Sequence, residues 1–128
     1  MRIFDHIDLR VADLGAVSPF YRAFLPALGF TVRVDLEGWL QYEAEGSEPS
    51  EFFGLIEDKA HTPNSNRIAF WAGSMPAVDQ LASLVRAAGA QNIEGPGFES
   101  DYYYAVYFDD PGGNHLEICH RLKRFKRA

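Results

Sequence analysis

Cysteine is almost absent from this chain of 128 residues, since Cys119 is the only one. A lone cysteine cannot form a disulfide within the chain, which excludes a disulfide-stapled scaffold. No apolar run approaches the roughly 20 residues of a membrane-spanning helix. The N-terminus also lacks the basic and then apolar order of a secretory signal. These absences predict a cytoplasmic protein without a membrane partner.

Positive charge is scarce in most of the chain. Residues 1–120 hold 7 of the 12 Lys and Arg but all 18 Asp and Glu, and the net charge of the whole chain is −6. A mostly acidic body argues against a nucleic-acid partner. The basic C-terminal tail, residues 122–128, is interpreted as a solvated terminus.

Several signatures of enzyme classes are missing as well. There is no glycine-rich phosphate loop, no cysteine cluster for zinc and no serine-histidine-acid order. Cys119 has no base beside it in sequence, so it is not predicted to be a nucleophile. His61 is the histidine that we expect to be solvated.

One pattern of secondary structure appears twice, about 60 residues apart. A strand at residues 5–11 precedes a helical stretch that ends at Gly29, and a strand at 66–71 precedes one that ends at Gly89. Asp13 or Ser18 is expected to cap the first helix, and Ser74 the second. The remaining predicted strands are 30–35, 39–43, 52–56, 91–94, 102–108 and 115–120, with a turn at 95–97.

The order βαβββ followed by βαβββ predicts an α+β fold of two paired modules. They would form a concave mixed sheet, with the helices on its convex side. The expected organisation is one domain, residues 1–121, with module one at 1–58, a linker at 59–65 and module two at 66–121. A chain made of two copies of one unit tends to place its site where the copies face each other.

Three segments carry a resemblance to a known family. They are the opening strand and turn at Asp5–Leu14, the helix with Pro19-Phe20-Tyr21 and Leu28-Gly29-Phe30, and the closing segment Phe108–Ile118. In this order they resemble the vicinal oxygen chelate superfamily. Its members include glyoxalase I, bleomycin-resistance proteins, the fosfomycin-resistance enzymes and extradiol dioxygenases, and this chain is similar to its small glyoxalase-like members.

The resemblance implies a divalent metal held between the modules, at positions that fall here on His6, Gly54, Arg67 and Glu117. The residue types agree for His6 and Glu117, which carry a ring nitrogen and a carboxylate. Gly54 has no side chain, and the permanent charge of Arg67 would repel a dication. Asp8 shares the face of His6, so it is the candidate for a third metal ligand.

Other site residues follow from strand alternation. Glu117 alternates with core-facing neighbours, so it points into the cleft, where Arg67 or a metal would balance its charge. Glu117 is also the candidate catalytic residue. Arg67 is interpreted as a clamp for a substrate anion or as a structural partner of an internal acid. We expect His6, Arg67 and Glu117 to converge in one cavity. The further candidates for substrate binding are Tyr102, Tyr104 and His115.

Two functions remain open. One is a metal-dependent lyase or dioxygenase-like enzyme that acts on a small oxygenated, anionic molecule, whereas glyoxalase I activity itself is not expected because Gly54 lacks a carboxylate. The other is a metal-free protein that binds or sequesters a small molecule, as bleomycin-resistance relatives do. Either would be a homodimer, since the resemblance implies paired rims. The sequence does not predict the substrate.

Overall fold

The two halves of the chain fold as two matching units, each a four-stranded mixed sheet with one helix. The computed structural model describes residues 2–46 and 48–123. The elements are β1 (His6–Val11), α1 (Leu14–Leu28), β2 (Phe30–Leu36), β3 (Trp39–Ala44), β4 (Phe52–Glu57), β5 (Arg67–Trp71), α2 (Met75–Ala88), β6 (Gln91–Ser100), β7 (Tyr103–Asp109) and β8 (His115–Arg121). Sheet one has the strand order β1-β4-β3-β2, and sheet two the order β5-β8-β7-β6. The predicted α+β class with two βαβββ modules is confirmed.

Both helices begin and end with the same chemistry. The side chain of Asp13 accepts a hydrogen bond from the backbone of α1, and the side chain of Ser74 accepts one from α2 at the equivalent position. Of the two caps predicted for α1, the structure therefore selects Asp13, whereas Ser18 lies within the helix. Gly29 and Gly89 end the helices with φ of 115° and 111°, a left-handed conformation that favours glycine.

One apolar core joins the two units. Phe24 of α1 lies 5.2 Å from Phe70 of β5 and 5.8 Å from Phe108 of β7 between ring centroids, and Phe53 of β4 lies 5.5 Å from Phe70. The helices and the inner faces of both sheets contribute to this cluster. The opposite face of each sheet, turned away from the helices, is called its open face below.

Strand β6 differs from its prediction. The turn expected at residues 95–97 is part of a strand that runs from Gln91 to Ser100 and pairs irregularly with β7. Bulges accommodate Gly95, whose φ is +90° and whose missing Cβ would lie 2.8 Å from the carbonyl oxygen of Ala105. Glycine therefore permits the strand to continue where the sequence predicted a break.

The turn between β7 and β8 is built around a buried carboxylate. Asp110 is fully buried and accepts hydrogen bonds from the hydroxyl of Tyr21 and from the backbone N–H groups of Gly112 and Asn114. Burial, followed by the charge of Asp110 and its hydrogen bond, raises the pKa of Tyr21 well above its usual value. The turn is thereby fixed to α1.

Asn114 extends this connection to β1 and to the segment between the modules. Its amide donates to the carbonyl of Arg10 at 3.0 Å, so the other amide atom is the oxygen that accepts from Nε2 of His61 at 2.9 Å. The prediction that His61 is solvated was therefore wrong. Its partner lies 53 residues away, which no local pattern indicates.

The beginning of the basic tail lies against the turn that precedes β7. The backbone N–H of Leu122 donates to the carbonyl of Tyr102 at 2.9 Å, and the ammonium of Lys123 lies 4.7 Å from the centre of the Tyr102 ring. Residues 124–128 of the predicted tail lie outside the described residues. Within the described part of the chain, neither helix has the length and apolar character needed to cross a bilayer.

Candidate functional site

Strand pairing defines which positions of the two modules correspond. Asp8 pairs with Gly54 between β1 and β4, and Ala69 pairs with Glu117 between β5 and β8. Asp8 and Ala69 each stand five residues before the cap of the following helix. Gly54 is therefore the counterpart of Glu117, as the resemblance implied. In sheet one the carboxylate of the pair is on the first strand, at Asp8, whereas in sheet two it is on the last strand, at Glu117.

The open face of sheet one carries an imidazole between two carboxylates. Nδ1 of His6 lies 2.7 Å from a carboxylate oxygen of Asp5, which can only accept, so Nδ1 carries the proton. Nε2 of His6 lies 3.6 Å from Oδ2 of Asp8, and its ring stacks on Phe52 with 4.3 Å between centroids. The structure thus brings His6 and Asp8 together, as expected from their shared strand face.

Gly54 is needed for the packing above β4. A Cβ at Gly54 would lie 3.0 Å from Oδ1 of Asp8 and 3.3 Å from Nε1 of Trp39. The carboxylate of Asp8 therefore lies over the position where a side chain of residue 54 would begin. Nε1 of Trp39 is buried and has no hydrogen-bond partner among the described residues.

The open face of sheet two is centred on Glu117. Its side chain is 6% exposed and accepts a short hydrogen bond from the hydroxyl of Tyr103. Burial, followed by hydrogen bonding to Cys119 and Glu117, raises the pKa of Tyr103 far above its usual value. Tyr103 therefore keeps its proton and holds one oxygen of Glu117.

Arg67 lies on the same face, where its guanidinium contacts the ring of Tyr107 rather than a carboxylate. Its guanidinium carbon lies 4.8 Å from the centre of the Tyr107 ring, and Tyr107 pairs with Glu117 across β7 and β8. Burial and the charges of Glu117 and Glu99 raise the pKa of Tyr107, which the charge of Arg67 opposes. Among residues 2–46 and 48–123, Arg67 forms no ion pair with Glu117 or another acid, so the structure does not show the pairing that was one of the alternatives for Arg67.

The remaining predicted site residues lie elsewhere. The hydroxyl of Tyr104 donates to Asp79 of α2 at 2.6 Å, so this side chain lies on the helix side of sheet two. Tyr102 is in the turn before β7, against Lys123. His115 is the first residue of β8, and its Nδ1 lies 2.6 Å from a carboxylate oxygen of Asp109, the last residue of β7.

The tyrosines on the face of Glu117 are not Tyr102 and Tyr104, which the sequence had indicated as candidates for substrate binding. The open face carries Tyr103 and Tyr107, because β7 pairs them with Arg121 and Glu117. Strand alternation separates these two from Tyr104, but it does not show which set faces Glu117. That depends on the pairing across the turn between β7 and β8.

Two cavities lie between β1 and β5. One of about 420 Å³ adjoins His6 and Trp71, and the other of about 370 Å³ adjoins Asp8, Arg10 and His115. Neither is lined by Arg67 or Glu117. The structure therefore groups Arg67 with Glu117 on sheet two and His6 with Asp8 on sheet one, rather than all of them in either cavity.

The metal implied by the family does not fit the donors that the described residues of one chain offer. No three side chains of His, Cys, Asp or Glu in the described part of the chain are grouped so that they could hold an ion. His6 and Asp8 offer two donors on sheet one, and Tyr103 occupies an oxygen of Glu117 on sheet two. A site with two protein donors is weak for the usual divalent ions.

Comparison with known proteins agrees with this fold. The model of the Glyoxalase/Bleomycin resistance protein/Dioxygenase superfamily matches residues 3–118, so the chain belongs to that superfamily. No curated protein matches the sequence. Among solved structures, a glyoxalase/bleomycin resistance protein from Albidiferax ferrireducens T118 is 29% identical, with a TM-score of 0.74 over 92% of this chain and 98% of the other.

Two other structures share the fold at lower identity. A glyoxalase/bleomycin resistance protein/dioxygenase family enzyme from Burkholderia phytofirmans PsJN is 18% identical, with a TM-score of 0.71 over 92% of this chain and 98% of the other. A putative glyoxalase from Bacillus halodurans is 23% identical, with a TM-score of 0.71 over 92% and 95%. At these identities the match supports the fold alone.

Proposed function

We propose that this protein binds a small oxygenated molecule with an anionic group, such as a carboxylate, phosphate or acidic phenol, on the open face of sheet two. Arg67 would bind the anionic group. The pair of Glu117 and Tyr103 would lie beside it, and the free oxygen of Glu117 would accept a hydrogen bond from a hydroxyl of the ligand. Tyr107 would hold the guanidinium in place.

The observation that carries the proposal is the state of Arg67. A guanidinium has five N–H donors. The ring face of Tyr107 attracts the charge of Arg67 but does not accept directed hydrogen bonds from these donors, as an oxygen atom would. Its nearest expected partner, Glu117, is held by Tyr103 instead. Arg67 can therefore offer two parallel N–H groups to an incoming oxyanion.

The arrangement of the possible metal ligands favours a protein that sequesters its ligand over one that transforms it with a metal ion. His6 and Asp8 do not complete a metal site with Glu117 within the described chain. A protein that only binds its ligand needs no such ion. Turnover of a ligand would require a further donor, which a second subunit could supply.

The test measures affinity for a panel of probes by calorimetry: acetate, benzoate, inorganic phosphate, 4-nitrophenolate and neutral benzamide. We expect at least one anion to bind the wild type more tightly than benzamide. Arg67→Ala should weaken that binding by about tenfold or more, and Arg67→Lys by less, because lysine keeps the charge but loses the bidentate geometry. Arg33→Ala is the matched control, because Arg33 pairs with Asp35 on β2 of sheet one.

One result would contradict an anion site at Arg67. If no anion stabilises or binds the wild type, and Arg67→Ala only lowers the melting temperature, then Arg67 has a structural role. We also propose that the protein is a homodimer and that it is cytoplasmic. Sedimentation equilibrium tests the first, and fractionation of the source cell tests the second.

A further inference from the structure

The larger of the two cavities between β1 and β5 combines exposed aromatic side chains with acids. It occupies about 420 Å³ where β1 begins and β5 ends. Phe4 and Trp71 line it, although they are 75% and 61% exposed, and the stacked rings of His6 and Phe52 form another part of its wall. Aromatic faces that remain open to solvent beside a cavity indicate a binding surface.

The charged groups of this cavity are of one sign. Asp5 and Glu51 line it, and no Lys or Arg does. Asp5 shares its carboxylate with His6 and with the guanidinium of Arg2, at 2.7 and 3.4 Å. Glu51 forms no ion pair with any residue that the structure describes, so its charge is available to a ligand.

The smaller cavity, of about 370 Å³, supplies an internal comparison, because exchanging the corresponding positions of the two modules turns the wall of one cavity into that of the other. The strand pairing that relates Asp8 to Ala69 and Gly54 to Glu117 also relates the walls of the two cavities. The two acids correspond to amides, and the two aromatic residues to cationic or polar ones. The corresponding pairs are Asp5 with Asn66, Glu51 with Asn114, Phe52 with His115, and Trp71 with Arg10.

The combination of acids and aromatic rings is therefore a property of one cavity and not of the fold. An aromatic face attracts a cation through its quadrupole, and a nearby carboxylate adds a longer-range attraction. Neither group attracts an anion. An apolar body would in addition cover Phe4 and Trp71 and remove their surface from water.

We propose that the cavity between the start of β1 and the end of β5 binds an organic cation with an apolar body, such as an aryl or alkyl ammonium group. Trp71 and Phe52 contact the cation, and Glu51 supplies the compensating charge. The proposal does not rest on the anion site of sheet two, which uses Arg67 and Tyr107 and takes ligands of the opposite charge.

The test uses three probes of similar size: phenyltrimethylammonium, neutral benzyl alcohol and benzoate. Each is titrated into the ¹⁵N-labelled full chain, and amide and indole shifts are followed by NMR. We expect the ammonium probe to shift the indole of Trp71 and the amides of residues 4–7, with at least about tenfold tighter binding than benzyl alcohol. Benzoate should leave these signals unchanged at the same concentration.

Variants separate charge from apolar contact. Glu51→Gln should weaken binding of the ammonium probe by about threefold to tenfold, whereas Glu37→Gln, an equal change of charge outside the cavity, should leave it within twofold. Trp71→Leu keeps an apolar side chain but removes the aromatic face, so it should also weaken binding.

Two outcomes would overturn the proposal. Equal affinity for benzyl alcohol and the ammonium probe, with no effect of Glu51→Gln, would make the cavity a general apolar surface. A Trp71 indole shift that depends on protein concentration, together with a dimer mass and no response to the ammonium probe, would show that a second copy covers it.

Discussion

The two sheets share one architecture but place their carboxylate on different strands. In sheet one the acid is Asp8 on β1, and its neighbour on β4 is Gly54; in sheet two the acid is Glu117 on β8, and its neighbour on β5 is Ala69. The small residue in each pair leaves space for the acid of the other strand. Gly54 lacks a side chain at a family position, but Asp8 supplies a carboxylate to the same face of sheet one.

The two acids differ in their partners. Asp8 faces an imidazole and is partly exposed, whereas Glu117 is buried under the hydroxyl of Tyr103. Glu117 shares its face with the guanidinium of Arg67, which contacts the ring of Tyr107 and forms no ion pair among the described residues. The two modules therefore share one backbone arrangement, while the chemistry of their open faces differs.

The largest expected effect comes from removing the buried carboxylate that fixes the turn of sheet two to α1 of module one. Asp110→Ala would leave the hydroxyl of Tyr21 and the turn N–H groups without their acceptor inside the protein. We expect a loss of about 3 kcal/mol or more in the free energy of unfolding, measured with urea. Asp79→Ala, which removes an exposed acid bonded to Tyr104, is the control and should cost less than about 1 kcal/mol. Equal losses would contradict the structural role of Asp110.

The contrast between the two acids can be tested with Tyr103→Phe. Without the hydroxyl, the buried carboxylate of Glu117 loses its donor, and we expect a loss of about 1–3 kcal/mol in the free energy of unfolding. Tyr107→Phe is matched in strand and face, but Tyr107 only faces Arg67 with its ring, so its loss should be smaller. A larger effect of Tyr107→Phe would show that Glu117 does not depend on Tyr103.

The exchange of acid and small residue predicts a coupling in sheet one. Gly54→Ala places a methyl group 3.0 Å from Oδ1 of Asp8 and should cost about 1–2 kcal/mol. In the Asp8→Ala background the same change should cost less, with a coupling energy of about 0.5 kcal/mol or more from a double-mutant cycle in urea. Additive effects would mean that Asp8 does not occupy the space over Gly54.

Alkaline pH should lower the stability of the protein through Tyr21, which connects α1 to the turn of sheet two. An unfolded tyrosine loses its proton near pH 10, whereas the folded protein holds the proton of Tyr21 to higher pH. Stability should therefore fall as pH rises above about 10, because the unfolded chain then binds fewer protons. Tyr21→Phe should lower stability at pH 8 but show a shallower decline from pH 10 to 11. An unchanged slope would contradict this assignment.

The smallest expected signal is metal binding. Because neither open face completes a donor set, we expect substoichiometric nickel, zinc, iron or manganese after dialysis, measured by elemental analysis before and after chelation. His6→Ala should remove most of what remains. One ion per chain retained through dialysis would contradict the expectation and indicate that Asp8 or a second subunit completes the site.

Local patterns were sufficient for the architecture but not for the site. Apolar periodicity and the caps Asp13 and Ser74 define both helices, and alternation places Glu117 on the open face. The partner of Glu117 could not be predicted in this way, since it depends on how β7 pairs with β8 across the closing turn. The contact of His61 with Asn114 likewise requires the complete fold.

The most direct measurement of the divergence between the sheets is an NMR titration of the ¹⁵N-labelled chain with the tightest-binding anion of the panel. Shifts are expected at Arg67, Tyr107 and Glu117, and none above background at His6, Asp8 and Trp39. Shifts confined to the residues of sheet one would contradict this expectation, because the anion would then bind the face that carries Asp8 rather than the face that carries Arg67.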